Sequence, residues 1–406
     1  AGFTGGYTIV KAAVRELTQR HQEVFVPLIH RPGEAQVDFG EALVKMNGRR
    51  CKVAFLVMAL PYSDADFVMA FERECTETFW AGHVQGFEFL GGVPWRITYD
   101  NTKIAVAQII GGTKERRLTR GFCQLKSHYL FDQHFCQVGR GNEKGVVEGR
   151  VKYTRLNSFV PIPEVRDFAE LNAHLRQRCV ADRHRRLRGQ SATKEQLLAE
   201  DQKAFLPLPT TPFAACRQVS TTVSSLSLVR FDRNDYSVPV QWAHQSVVVK
   251  GDWQAVVLYA QGQEIARHER IWEAEQVRFE PLHYLALLEK KPGALDHARP
   301  LVGWNLPECF GVLRRRSENE RAGDGTRAYI RVLRLLEKHS LPKLQQAVEQ
   351  ALTVGAITRD AIAQFLFPRP DWRFTAFALD GHPHLRHVQV AAPDLGQYRQ
   401  LLEGVR

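Results

Sequence analysis

The dipeptide Asn47-Gly48 limits what this chain can fold into more than any other feature of it. Asn-Gly supplies the positive φ angles that both central residues of a type I′ hairpin turn require. It lies between Ala35–Lys45 and Arg50–Leu60, two stretches with strand character. Within the second, Val53 to Leu60 is apolar on both faces, as expected of a central strand covered on both sides. A third strand is expected at Phe67–Phe71, and a helix from Thr76 to about Leu90, closed by Gly91-Gly92. A fourth strand covers Trp95–Tyr99 and ends at Asp100. Hydrophobic pieces follow at Gln124–Leu130 and Phe131–Val138, then a helix from about Glu143 to Leu156. Three consecutive strands followed by helix-flanked ones predict an α/β fold, a mixed sheet with helices on its faces.

The rest of the chain changes period several times. Thr8, Ile9, Val10, Ala13, Val14 and Leu17 form a helical apolar face. That helix reads either as the close of a helix-turn-helix or as a cap on the next domain. The opening residues, without a basic start or an apolar middle, read as the middle of a longer chain rather than a signal peptide. Residues 164–206 are helical and basic, and residues 219–279 alternate with period two and are rich in valine, as in a small all-β barrel. Helical spacing returns at Tyr284–Lys290, Tyr329–His339, Lys343–Leu352 and Arg359–Leu366, and residues 370–406 look extended. The expected organisation is a helix-turn-helix remnant at 1–30, a catalytic domain at 31–163, a basic helical segment at 164–206, a β-barrel at 207–280 and a helical region with an extended tail at 281–406.

No apolar run approaches the ~20 residues that cross a bilayer, so no membrane partner is expected. The seven cysteines show no CxxC spacing, which argues against a structural zinc site and for reduced thiols in a cytoplasmic protein. A formal net charge of +11 favours a polyanionic partner, nucleic acid first, which would associate the protein with the nucleoid. There is no P-loop and no HExxH pattern.

Three acids stand in distinctive places. Asp38 is on the first strand in Gln36-Val-Asp-Phe-Gly-Glu41, Asp100 closes the fourth, and Glu148 sits in the first turns of a helix in Lys144-Gly-Val-Val-Glu-Gly149. Spacing alone means little among 44 acidic residues; the placement on strand, strand end and helix is what selects them. Converging carboxylates repel one another unless a cation joins them. Mg²⁺ is a hard ion that takes oxygen ligands and keeps several waters. Two such ions about 3.5–4 Å apart serve both the attacking and the leaving oxygen of a phosphodiester.

The segments Arg31-Pro-Gly-Glu-Ala-Gln-Val-Asp-Phe-Gly40, Tyr99-Asp-Asn-Thr-Lys103 and Gly141-Asn-Glu-Lys-Gly-Val-Val-Glu-Gly149 together resemble the DDE integrase superfamily, and within it the IstA-type insertion-sequence transposases. The resemblance covers residues 1–165. It implies a ribonuclease-H-like catalytic core with Asp38, Asp100 and Glu148 as the metal-binding catalytic triad. It implies two Mg²⁺ ions per site, with Mn²⁺ as the substitute, and cleavage that frees 3′-hydroxyl ends which then attack target DNA. It also implies a helper AAA+ ATPase of the IstB type. Because two element ends must be handled, a homo-oligomer of at least two copies on DNA is expected. Glu143 is the alternative third acid, and Glu41 is set aside because its odd separation from Asp38 turns it to the other face of the strand.

Lys152 and Arg155 share the helical face of Glu148 and are candidates for holding the DNA backbone, as is Lys103 beside Asp100. Arg176, Arg178, Arg183, Arg185, Arg186 and Arg188 form a second basic patch. Trp242, Trp253 and Trp272 are expected in the barrel core, one of them being a candidate for an interaction surface. Two rival readings stay open: a ribonuclease-H-like nuclease that cuts without joining, and a non-catalytic DNA-binding scaffold.

Overall fold

Asn47 (φ 49°) and Gly48 (φ 79°) both adopt the left-handed conformation that the turn demands. They join β1 (Glu34–Met46) to β2 (Arg49–Ala59), which pair antiparallel from Gln36↔Ala59 to Met46↔Arg49. Strand β3 (Asp66–Phe71) pairs antiparallel with β2. In this computed structural model the described residues are 6–20, 29–100, 104–109, 116–136, 145–321, 323–367, 381, 383–385 and 388. The chain divides into two compact units, Ala1–Leu287 with Ala298–Val302, and Leu288–His297 with Gly303–Arg406.

Helix α1 (Tyr7–Arg20) exposes its apolar face, including Tyr7 at 81 % and Ile9 at 60 %. Helix α2 (Thr76–Leu90) starts and stops as its sequence signals, with Gly91 at φ 83° receiving the C-terminal turn. Strand β4 (Arg96–Tyr99) pairs parallel with β1, β5 (Val106–Ile109) and β6 (Arg116–Leu118) form a separate hairpin, and α3 (Arg120–Tyr129) leads to β7 (Asp132–Phe135), parallel to β4. The two hydrophobic pieces seen after residue 123 are thus a helix and a strand. Helix α4 (Gly145–Ser158) precedes the short β8 (Glu164–Val165), which pairs parallel with the end of β1. The main sheet runs β3-β2-β1-β4-β7, with β8 attached to β1. It is the mixed sheet with helices on both faces that the meander implied.

Strand alternation sends successive β1 and β2 side chains to opposite faces. One face buries Val37, Leu56, Met58, Ile97 and Tyr99 against Phe79, Trp80 and Phe87 of α2 and Phe122 and Leu125 of α3. The other buries Val44, Phe55, Val57 and Val68 against Val151 of α4 and Leu171 and Leu175 of α5 (Phe168–Asp182). This is why β2 is apolar from Val53 onward. The segment 164–206, expected to be helical and basic, holds two helices: α5 ends at Asp182, and α6 (Lys194–Ala204) begins behind a Thr193 capping box. Asp182 draws in Arg185 at 2.9 Å and Lys194 at 2.6 Å, and this folds the chain back instead of prolonging the helix.

Residues 217–278 hold β9 (Arg217–Thr222), β10 (Leu228–Phe231), β11 (Asn234–Ser237), β12 (Ser246–Gly251), β13 (Ala255–Ala260), β14 (Gln263–Glu269) and β15 (Val277–Arg278). They form two hydrogen-bonded sheets, β14-β13-β12-β9 and β10-β11-β15, around a core of Val229, Phe231, Tyr236, Val249, Val256 and Leu258. Only Trp242 of the three tryptophans expected in that core packs against it. Trp253 instead meets Phe71 of β3 edge-on at 5.3 Å. Trp272 lies under the Arg270 guanidinium at 4.0 Å and the Arg73 guanidinium at 4.7 Å. Both tryptophans serve the junction with the α/β sheet, where the buried Arg270 also pairs with Glu77 at 3.3 Å and Asp232 at 2.9 Å.

Helix α7 (Leu285–Lys290) leads into the second unit, built from α8 (Glu308–Glu320), α9 (Gly325–Leu333), α10 (Leu341–Val354) and α11 (Arg359–Leu366). Its interior includes Phe310, Leu313, Ile330, Leu344, Val348 and Ile362. The α8 segment was not read as a helix, because charged residues occupy most of its length after Leu313. The region read as an extended tail lies almost wholly outside the described residues.

Gly40 sets how closely α4 approaches the sheet. A Cβ there would come within 2.4 Å of Phe55 Cζ and 2.7 Å of Val151 Cγ1. Gly40→Ala is therefore expected to destabilise the protein by about 1–3 kcal/mol through overpacking, measured by urea unfolding. Parental stability in that variant would show that α4 is not seated on β1.

Candidate active site

The pairing of β1 with β4 brings the two aspartates together. Val37 and Tyr99 are register partners on these parallel strands, so the next residue on each, Asp38 and Asp100, stands at the same level. Hydrogen-bonded neighbours in a sheet lie about 4.8 Å apart. Asp38 is half-buried and accepts a hydrogen bond from the Phe39 N–H at 3.0 Å, while Asp100 is exposed. By alternation Asp38 shares its face of β1 with Gly40 and Ala42, the face on which α4 lies.

Glu148 is in the first turns of α4, one turn before the Val151 that packs on Gly40. Its side chain, and Lys103 and Glu143 altogether, lie outside the described residues. Among the described residues no group of three or more His, Cys, Asp or Glu is gathered closely enough to hold a metal ion. What is described is two aspartates at one level on neighbouring strands, hard carboxylate donors of the type that suits a hard divalent cation. Glu41 is exposed and paired with Lys52 at 2.6 Å, away from Asp38.

The layer beneath β4 is aromatic and contains one histidine. His83 is fully buried, with Nδ1 2.7 Å from the Phe79 carbonyl oxygen and Nε2 2.9 Å from the Tyr99 hydroxyl. A carbonyl can only accept, so Nδ1 carries the proton and Nε2 accepts from Tyr99. Burial pushes the imidazole down to about 4, keeping it neutral. Tyr99 immediately precedes Asp100, so this bond helps fix the strand end that carries the second aspartate.

The basic candidates separate by what they touch. Lys152 and Arg155 are exposed on α4, and Arg155 Nε donates to the Glu41 carbonyl at 2.9 Å. Arg176 and Arg183 stack over Phe89 at 4.9 and 4.3 Å, Arg178 donates to the Asn157 carbonyl at 2.7 Å, and Arg185 pairs with Asp182. Arg186 and Arg188 are exposed in the turn between α5 and α6. Sequence reasoning missed Arg150, which is buried within α4, and the Glu77–Arg270 pair. Their partners are distant in sequence, and no local spacing signals them.

The family described as Mu transposase, C-terminal domain, matches residues 208–280, the two-sheet region. The chain is 32 % identical over 383 residues to the transposase for insertion sequences IS1326/IS1353 of Pseudomonas aeruginosa, covering 90 % of this chain and 74 % of that one. It is 30 % identical over 308 residues to the transposase for insertion sequence element IS21 of Pseudomonas aeruginosa, covering 75 % and 78 %. Among solved structures, the HTLV-2 integrase catalytic core domain in complex with magnesium is 16 % identical with a TM-score of 0.30, covering 42 % of this chain and 99 % of that one. The chain belongs to the insertion-sequence transposases, of the IS1326 and IS21 type. No helix among the described residues is long and apolar enough to cross a membrane.

Because the folded pKa of His83 lies below its ordinary 6.5, the unfolded chain binds the proton more readily. Stability from this group is complete above pH 6.5 and falls as the pH drops towards 4. At pH 5 the loss is about 2 kcal/mol. His83→Gln cannot titrate, so its stability should fall less than the parent's between pH 7 and pH 5, by about that amount in urea unfolding. An identical slope in both proteins would contradict this account.

Proposed function

We propose that this chain is a metal-dependent DNA transposase with a ribonuclease-H-like core, cutting DNA at insertion-sequence ends and joining the freed 3′-hydroxyls to target DNA. The observation that carries the reading is geometric. Asp38, within β1, stands level with Asp100 at the end of the adjacent parallel β4, and the helix bearing Glu148 is seated on the sheet face that Asp38 shares. The names of the relatives support the same activity.

Asp38, Asp100 and Glu148 would hold Mg²⁺, two ions per site, with Mn²⁺ as a substitute. When bound, such ions neutralise the scissile phosphate and stabilise the oxygens that enter and leave. The chain's own part is positioning and charge, which is most of what phosphoryl transfer asks of a protein. The rigid sheet keeps the two aspartates at one level. Lys152 and Arg155 hold the phosphate backbone next to them. In the arginine stretch, Arg186 and Arg188 are exposed in the turn, Arg176, Arg178 and Arg185 are exposed with contacts of their own inside the protein, and only the half-buried Arg183 would have to leave its aromatic ring to reach DNA. Two element ends require at least two copies on DNA, and an AAA+ ATPase of the IstB type is the expected helper.

Asp38→Ala, Asp100→Ala and Glu148→Ala should each reduce cleavage and joining to background in Mg²⁺ while leaving the fold and DNA binding intact. The assay offers a labelled 3′-hydroxyl end with a plasmid and scores the covalent joint product. Joining by Asp38→Ala at the parental rate would overturn the assignment. Cleavage by the parent without any joint product would leave a nuclease instead.

A further inference from the structure

Two residues beyond Glu148, α4 carries a cation that the chemistry above does not use. Arg150 is 5 % exposed. Its guanidinium is 3.0 Å from Asp64, 3.2 Å from Asp182 and 3.7 Å from Asp66, and it also donates to the Asp64 carbonyl and lies over the Tyr153 ring at 5.0 Å. Lys194, 2 % exposed, bridges Asp64 at 2.8 Å and Asp182 at 2.6 Å. These groups tie four places together: the turn into β3, the middle of α4, the end of α5 and the start of α6. Asp64 adopts φ 57°, an uncommon conformation for a residue with a Cβ. Burial raises the Asp66 carboxyl. Asp182, against the same burial, is brought down to about 2 by Lys194, Arg150 and Arg185.

At 3.6 residues per turn, position 150 lies about 200° around α4 from position 148, on nearly the opposite side. Arg150 therefore draws the helix inward from behind, while Lys152 and Arg155 stay exposed. Val151, seated on Gly40, is a second fixed point, and Tyr153, which donates to Asp182 at 3.1 Å, and Arg155, bonded to the Glu41 carbonyl, tether the same helix. Two fixed points at different azimuths set the rotation of a helix. A planar guanidinium fork reaches several carboxylates at once, which a lysine ammonium does not.

We propose that Arg150 is a positioning residue that sets the rotation of α4, and through it the place of Glu148 beside Asp38 and Asp100. This rests on the triad reading. Partners standing behind a ligand typically change metal affinity by about 10–100-fold when removed.

The test compares Arg150→Met, Arg150→Lys, Lys194→Met and Glu148→Gln in the whole chain. It measures Mn²⁺ affinity by calorimetry, the Mg²⁺ concentration for half-maximal joining, and folding by circular dichroism. Arg150→Met should bind Mn²⁺ roughly tenfold or more weakly and need correspondingly more Mg²⁺. Arg150→Lys, which keeps the charge and loses the fork, should fold and still show weakened Mn²⁺ binding, so it decides the matter even if Arg150→Met does not fold. Lys194→Met removes charge from the same cluster without touching α4, and should lose stability with its metal dependence unchanged. Parental Mn²⁺ affinity in both folded Arg150 variants, or an equal shift in Lys194→Met, overturns the proposal. Failure of the triad reading looks different: Glu148→Gln would then bind metal and join ends like the parent.

Discussion

The parallel pairing of β1 with β4 is the constraint on which the site depends. Strands far apart in sequence must meet in one register, Val37 beside Tyr99, before Asp38 and Asp100 become neighbours. A slip of one residue would turn Asp38 or Asp100 to the opposite face of the sheet. The register is held where Ala35 to Val37 of β1 and Val53 to Ala59 of β2 are buried, while Glu41 and Leu43 of β1 stay exposed, so a slip would exchange buried apolar for exposed polar side chains. Asp100 stands where β4 ends, and Asp38 lies within β1, whose apolar cover resumes at Ala42 and Val44. Asp38 is half-buried and Asp100 is exposed, whereas Val37 and Tyr99, one residue earlier, are in the core.

Rigidity is then supplied from several directions. Beneath β4 the neutral His83 joins α2 to Tyr99, within a layer that includes Phe79, Phe122 and Phe131. On the other face Gly40 admits α4 at close range. At the edge, β3 receives Trp253 from the two-sheet region, and the buried Glu77–Arg270 pair adds an electrostatic tie. A buried pair of this kind is weak evidence for stability, because desolvation offsets most of the attraction. Its stronger effect is on orientation, since leaving either charge unpaired in the junction is costly. That ties the two-sheet region to α2 in one arrangement.

Much of the sheet was legible because its signals are local. Asn47-Gly48, the doubly apolar β2 and the Gly91 terminus each report on residues within a few positions, and the observed elements follow them closely. The adjacency of Asp38 and Asp100 could be anticipated from strand order, but its register could not, since register is a property of the pairing. The arginine stretch misled for a related reason. Helix α5 ends at Asp182, whose side chain gathers Arg150, Arg185 and Lys194, two of them from beyond the local window that spacing reads. Trp253 and Trp272 were assigned to a core because alternation reports that a side chain is buried, not which domain buries it. Arg150 left no trace, because a buried arginine has the same spacing as an exposed one.

These placements change how the net charge should be read. An excess of +11 invites the view that each clustered arginine awaits a phosphate. Arg150 and Arg270 are buried among carboxylates, Arg183 is half-buried over an aromatic ring, and Arg73 is spent on Trp272. Each of these would have to break an internal contact, and in the buried cases desolvate a carboxylate partner, before reaching a polyanion. On the proposed function, the cations that reach DNA at least cost are those already in water: Lys152 and Arg155 on α4, Arg176 and Arg178 on α5, and Arg185, Arg186 and Arg188 after it. The phosphate-facing surface is therefore narrower than the composition implies. Its part nearest the acids lies on the same helix as Glu148, so whatever fixes the rotation of α4 fixes the acid and its neighbouring cations together.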